Sequence, residues 1–179
     1  MKRSAITPLP YYYDRYINLV DDVDVVHALK NGLAQYLEEK PRLNPAGDTT
    51  YEEGKWTVKD ILQHVIDTER VMAYRALRFA RNDATPLPGF EQDPYALAAG
   101  ASSRTVDSLL KEFEIVRQAS VALFETFDDE ALQRTGICSN IRVSVLGLGF
   151  IIAGHAIHHM HVLKEKYFPL AFQGKEIMR

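Results

Sequence analysis

The stretch SVLGLGFIIAGHAIHHMHVLKEKY at 144–167 decides how the rest of the chain reads. Leu148, Ile151, Ile152, His155, His159 and Val162 recur at three- and four-residue steps, so a helix puts them on one face with two imidazoles one turn apart. The other side carries Leu146, Phe150, Ala153, Ile157 and Met160. A helix apolar nearly all round is buried nearly all round. The second apolar side predicts a homodimer, unless the N-terminal segment or another helix of the same chain covers it. The most apolar run, 143–154, is shorter than the roughly 18 residues that suggest a membrane span, and histidines and Lys164 follow it. It reads as a core helix.

Three further helical patterns lie before it. Over 23–40, Val25, Val26, Leu29, Leu33, Tyr36 and Leu37 keep the period of one helix face, and Pro41 ends the pattern. A second helix is expected over 58–81, where Thr57 and Asp60 form a capping-box-like start. A third follows Ser102 or Ser103 with Val106, Leu109, Leu110, Phe113, Val116, Val121 and Phe124, and a short helical turn is expected near 128–130. Pro169 reads as the stop of the last helix. The connection NDATPLPGFEQDPY at 82–95 is rich in Pro, Gly and Asp and is expected to be a long loop without regular helix, of a kind that often covers a site. Segment 1–22, with Pro8, Pro10 and three consecutive tyrosines, reads as an extended arm. Without alternating strand patterns, the expectation is an all-α four-helix bundle, one domain over 1–179 with 1–22 as its arm.

Composition agrees with one globular domain: 179 residues, 46% apolar and 25% charged. The net charge of -3 gives no basic surface for nucleic acid or an anionic membrane. The single cysteine, Cys138, has no intrachain partner, and no apolar run follows the basic start, so a cytoplasmic protein is expected.

Five of the six histidines fall in two helices: His64 in the second, and His155, His158, His159 and His161 in the last. His155 and His159 face the core. His158 lies at the flank of that stripe, and His161 points away beside Lys164. Buried imidazoles need hydrogen-bond partners or an ion, since an unpaired polar group in a core costs about 1–3 kcal/mol. His64 shares its face with Ile61, Val71 and Met72 but also with Asp60, Asp67, Thr68 and Arg75, a mixture that suits a cavity wall. Three imidazoles match the ligand set of an open zinc-type site and would equally accept nickel, iron or copper. A hydrogen-bonded core histidine is the alternative. HAIHH has Ala156 where zinc proteases place a glutamate, and no Glu-x-x-His occurs, which excludes the signature of carboxylate-bridged di-iron bundles. Arg75 is the candidate contact for a substrate carboxylate, with Tyr74 and Arg78 behind it. Trp56, Phe90 and Cys138 read as packing residues.

GKWTVKDILQHVIDTERVMAYRALRFARND at 54–83, PLPGFEQDPY at 86–95 and GHAIHHMHVLKEKY at 154–167 together resemble the DinB/YfiT-like family of metalloenzymes. The resemblance implies a four-helix bundle with one divalent metal ion, zinc or nickel first and iron, manganese or copper after them. His64 matches the family's histidine in the second helix, and His155 and His159 its H-x-x-x-H. It also implies a small thiol and an electrophile as partners, because some members are thiol-dependent S-transferases or isomerases. A metal-dependent hydrolase and a non-catalytic metal-binding bundle are the alternatives.

Overall fold

The computed structural model describes residues 1–173, so positions 174–179 of the expected domain lie outside the described residues. After a 3-10 turn at Arg3–Ala5, the chain forms α1 (Asp14–Ile17), α2 (Val25–Glu38), α3 (Lys40–Ala46), α4 (Val58–Ala80), α5 (Gln92–Ala99), α6 (Val106–Glu125) and α7 (Asp129–Gln133). A hairpin of β1 (Thr135–Cys138) and β2 (Ile141–Ser144) leads into α8 (Val145–Val162), a π-helical turn at Leu163–Tyr167 and α9 (Phe168–Ala171). The four long helices α2, α4, α6 and α8 make the bundle. α8 and α6 each pack along α2 and α4, and α1 packs on α8.

Short polar side chains start the long helices by accepting from otherwise orphaned N–H groups. Thr57 and Asp60 form a full capping box on α4, while Asp24, Thr105 and Ser144 cap α2, α6 and α8. Several elements differ from the sequence expectations. Segment 1–22 is not simply extended: it contains α1 and buries Tyr13, Tyr16, Ile17 and Val20 in the core. Pro41 and Pro169 sit at the first turns of α3 and α9, where a missing N–H costs nothing, so they begin helices rather than end them. The stretch 82–95 is not all loop, because α5 starts at Gln92. The hairpin turns at Ser139 and Asn140, both with positive φ, as a two-residue primed turn requires.

The apolar core is divided in two. One cluster takes Val25–Leu29 positions of α2, Met72–Phe79 positions of α4, Phe124 and the first half of α8. The other takes Tyr36, Val58–Ile66 positions of α4, Val106–Val116 positions of α6, and Ala156, Met160 and Leu163. Between them every long helix carries a small or polar residue: Gly32 on α2, Thr68 and Glu69 on α4, Arg117 and Ser120 on α6, His155 on α8. This polar layer positions the site.

The run Val145–Ala171 is long and apolar enough to cross a membrane, but 72% of its most apolar window is buried inside the fold. Of the second apolar side of α8, Leu146, Phe150, Ala153 and Met160 are buried within the one chain and Ile157 is half-buried, so the chain itself covers most of that side.

Candidate metal centre

α4 brings His64, and α8 brings His155 and His159, to one point in the polar layer. The Nε2 atom of His155 lies 3.1 Å from Nε2 of His64 and 3.1 Å from Nε2 of His159. One nitrogen from each of the three side chains falls within 4.8 Å of the others. No carboxylate belongs to this cluster among the described residues.

Burial keeps all three imidazoles neutral. Removal from water pushes His64 down to about 4, partly opposed by the nearby Asp93 carboxylate. His155 and His159 are driven well below the ordinary histidine range, first by burial and then by the neighbouring imidazoles. A neutral imidazole has one N–H and one lone pair, so a single His155 nitrogen in contact with two others does not give all three a good hydrogen bond. Nδ1 of His159 is buried with no partner at all. Zinc–nitrogen bonds of about 2.0–2.1 Å in a tetrahedral arrangement would set neighbouring nitrogens about 3.4 Å apart, close to the spacing found here. The donor set therefore fits a borderline divalent cation.

The surroundings sort the remaining candidates. The Trp56 indole lies against His64 with ring centroids 4.8 Å apart, so it is a wall of the site as well as a packing residue. His158 is half-buried and meets His159 edge-on at 5.1 Å without hydrogen-bonding to the three imidazoles, while His161 is exposed. Cys138 is wholly buried, and burial raises its thiol, as suits a packing residue. Arg75 does not serve as a free carboxylate contact: it is 3% exposed and donates to the Pro88 carbonyl at 2.7 Å and to Ser139 Oγ. It ties the loop before α5 to the hairpin. Arg78 is held by Asp83 and Tyr74.

Sequence reasoning missed Tyr16, which α1 places edge-on to both His155 and His158, with centroids 5.3 and 5.4 Å away. The signal was Gly154. A Cβ there would collide with the Tyr16 carbonyl, so this glycine marks a close backbone approach one residue before a site histidine.

Two cavities reach the cluster from different imidazoles. The larger, about 820 Å³, is bordered by Trp56, Asp60, Asp93, Leu97, His159 and Tyr167. The smaller, about 330 Å³, is bordered by His155 and by side chains of α1, α4 and the loop before α5.

Residues 33–163 match the DinB superfamily. A provisionally named metal-dependent hydrolase of Oceanobacillus iheyensis is 27% identical over 117 residues, which cover 64% of this chain and 66% of that relative, just under two thirds of its length. The YfiT protein of Bacillus subtilis, described as a probable metal-dependent hydrolase with an unusual four-helix bundle topology, superposes with a TM-score of 0.66. That alignment covers 95% of this chain and 91% of YfiT at 17% identity, a likeness of fold.

Proposed function

Because the chain belongs to the DinB superfamily, we propose that it is a metal-dependent enzyme acting on small molecules, with one divalent cation, zinc or nickel, held by His64, His155 and His159. The observation that carries the reading is the convergence of three imidazole Nε2 atoms on one buried point, where a single His155 nitrogen lies within 3.1 Å of both others. When bound, the cation supplies Lewis acidity that favours the deprotonated form of a coordinated thiol or water.

Within that class, we assign transfer of a small thiol to an electrophile. Two separate cavities meeting at one cluster suit two reactants, and among the described residues no carboxylate belongs to the imidazole cluster itself. In such a transfer the thiol sulfur forms a bond to carbon, the carbon–leaving-group or epoxide C–O bond breaks, and the thiol proton goes to solvent or to the departing oxygen. The chain's own part is to hold and orient. Trp56 and Tyr167 wall the larger cavity, Asp60 and Asp93 give it negative charge, and Lys55 gives it a cation, a mixture suited to a zwitterionic thiol.

A hydrolase is the second reading, supported by the names of the two relatives and by Asp93, the carboxylate that His64 senses. Turnover of an epoxide and of an activated ester by zinc-loaded protein, with and without glutathione or bacillithiol, separates the two. Thiol-dependent loss of the epoxide supports transfer. Ester hydrolysis indifferent to thiol replaces it with the hydrolase.

A further inference from the structure

We propose that the smaller cavity binds a small organic anion, a carboxylate on about one ring, whose charge is balanced by buried Arg75 acting through the Ser139 hydroxyl. The site rests on the reading of the three imidazoles as a reaction centre and adds to it the charge of the second reactant.

The first observation is an incomplete charge. Arg75 is 3% exposed, and arginine is almost never buried without a carboxylate partner. Its hydrogen bonds run to the Pro88 carbonyl at 2.7 Å, the Ser139 hydroxyl at 3.4 Å and the Met72 thioether at 3.5 Å, none of which carries charge. Burial pushes up both Tyr13 and Cys138, the titratable groups that feel the guanidinium, so they stay protonated and neutral beside it. Arg117, also buried, has the Glu69 carboxylate. A guanidinium left without one favours an anion in the space next to it.

The smaller cavity is that space. Tyr13, Met72 and Ser139 of its wall all lie against Arg75. Ser139 is half-buried, and because its Oγ accepts from Arg75, its own proton is left to be donated to a ligand. Gly89 borders the same point: a Cβ there would stand 3.3 Å from Ser139 Oγ, so glycine leaves that side of the hydroxyl uncovered. Arg75 is thus the charge behind the wall, and Ser139 is the contact on it.

A second cation stands on the other side. The Arg15 guanidinium lies 3.8 Å from the centroid of the Tyr12 ring and 5.0 Å from that of Tyr16, two rings of the lining. The one carboxylate in the lining, Glu91, is exposed, where water and salt screen it.

The rest of the wall sets size and shape. Tyr12, Tyr16 and Phe90 give aromatic surface, whose ring edges carry the positive side of the quadrupole. The volume of about 330 Å³ stands at the lower end of the roughly 300–1,000 Å³ typical of small-molecule sites, which limits the occupant to about one ring with substituents. His155 borders the same cavity and brings the occupant to the cluster, while the larger cavity opens on His159.

Benzoate and its neutral isostere benzamide, titrated into the full chain with and without zinc, test the site. Benzoate should bind about tenfold more tightly than benzamide, shifting the NMR methyl signals of Met72 and Ile151 and leaving the indole N–H of Trp56, the single tryptophan, in the larger cavity unmoved. Arg75→Met should weaken benzoate about tenfold or more and leave benzamide within about threefold, and Arg75→Lys, which keeps the charge, should restore most of the benzoate affinity. Ser139→Ala should also weaken benzoate more than benzamide, and it carries the contrast if Arg75→Met does not fold. Equal affinity for the two probes, an equal effect of Arg75→Met on both, shifts confined to Trp56, or no binding at millimolar benzoate would each overturn the site. Benzoate that binds only after zinc is loaded, with an affinity that Arg75→Met leaves unchanged, would place the anion on the cation and overturn it as well. Zinc content of the same sample keeps the two claims apart. Zinc uptake without benzoate binding removes only the anion site, and benzoate binding by protein that takes up no zinc removes only the metal reading.

Discussion

Two buried polar groups share one level of the bundle and are resolved in opposite ways. Arg117, 1% exposed, meets Glu69 through two parallel hydrogen bonds of 2.8 Å, and its remaining nitrogen donates to the Leu29 carbonyl. Gly32 leaves it room, since a Cβ there would stand 2.9 Å from the guanidinium. Charge, donors and space are all accounted for by protein atoms, and α2, α4 and α6 are tied together. Five residues before Glu69 on the same helix, His64 enters a cluster with the opposite character: neutral, crowded with lone pairs, and bordered by cavities. A fold able to complete one buried polar set from its own atoms leaves the other incomplete. The difference separates a structural device from a place for a ligand.

The sharpest way to break that contrast is to remove an imidazole. His64→Ala and His159→Ala should abolish stoichiometric zinc or nickel binding, read by elemental analysis after dialysis, while the circular dichroism of the helices persists. A variant that still carries one equivalent of metal would show that the cluster is an ordinary packed histidine group. Removing Arg117 should do the reverse. Arg117→Met strands the Glu69 carboxylate in the core, and breaking a buried pair in this way costs about 3–5 kcal/mol. Denaturant unfolding should record that loss, and metal stoichiometry at low temperature should stay at one.

Acid provides a third discrimination. His64 titrates near 4 in the folded chain and near 6.5 when unfolded, so between these values the unfolded chain binds more protons. Stability of the metal-free protein is therefore full above about pH 6.5 and falls as pH drops toward 4, by about 3 kcal/mol for His64 alone. His155 and His159, depressed in the same direction, deepen the fall. Chemical denaturation at pH 7 and pH 5 measures it, and His64→Gln should flatten the slope. An unchanged slope would mean the imidazoles are not desolvated.

The convergence of His64, His155 and His159 was more legible in the sequence than the small elements packed around it. His155 and His159 are one turn apart on any helix, and the α4 boundary was written in Thr57 and Asp60, so the register of all three imidazoles was legible. What lay beyond local pattern was harder. Tyr16 meets His155 across 139 positions of chain, through a backbone contact that only Gly154 announces. The hairpin strands TGIC and IRVS are too short to show an alternation, and Ser139-Asn140 is a weaker turn signal than Asn-Gly. Arg75 looked like a substrate contact because it shares the His64 side of α4. Its burial under the loop before α5 depends on tertiary packing that one helix face does not reveal.

His158 gives the smallest and most discriminating effect. Its ring touches His159 and Tyr16 but makes no hydrogen bond to the cluster, so it supports the orientation of His159 by packing alone. Partners that hydrogen-bond a metal ligand typically change affinity about 10- to 100-fold when removed, and a purely packed neighbour belongs at or below the lower end of that range. His158→Ala should therefore keep one equivalent of metal with affinity reduced by about tenfold at most, and exposed His161→Ala should change nothing. Competition with a chelator of known affinity reads both. If His158→Ala lost the ion while His155→Ala kept it, the cluster would be assembled on the other side of α8, and the division between a self-completed and an open half of the polar layer would have to be redrawn around His158.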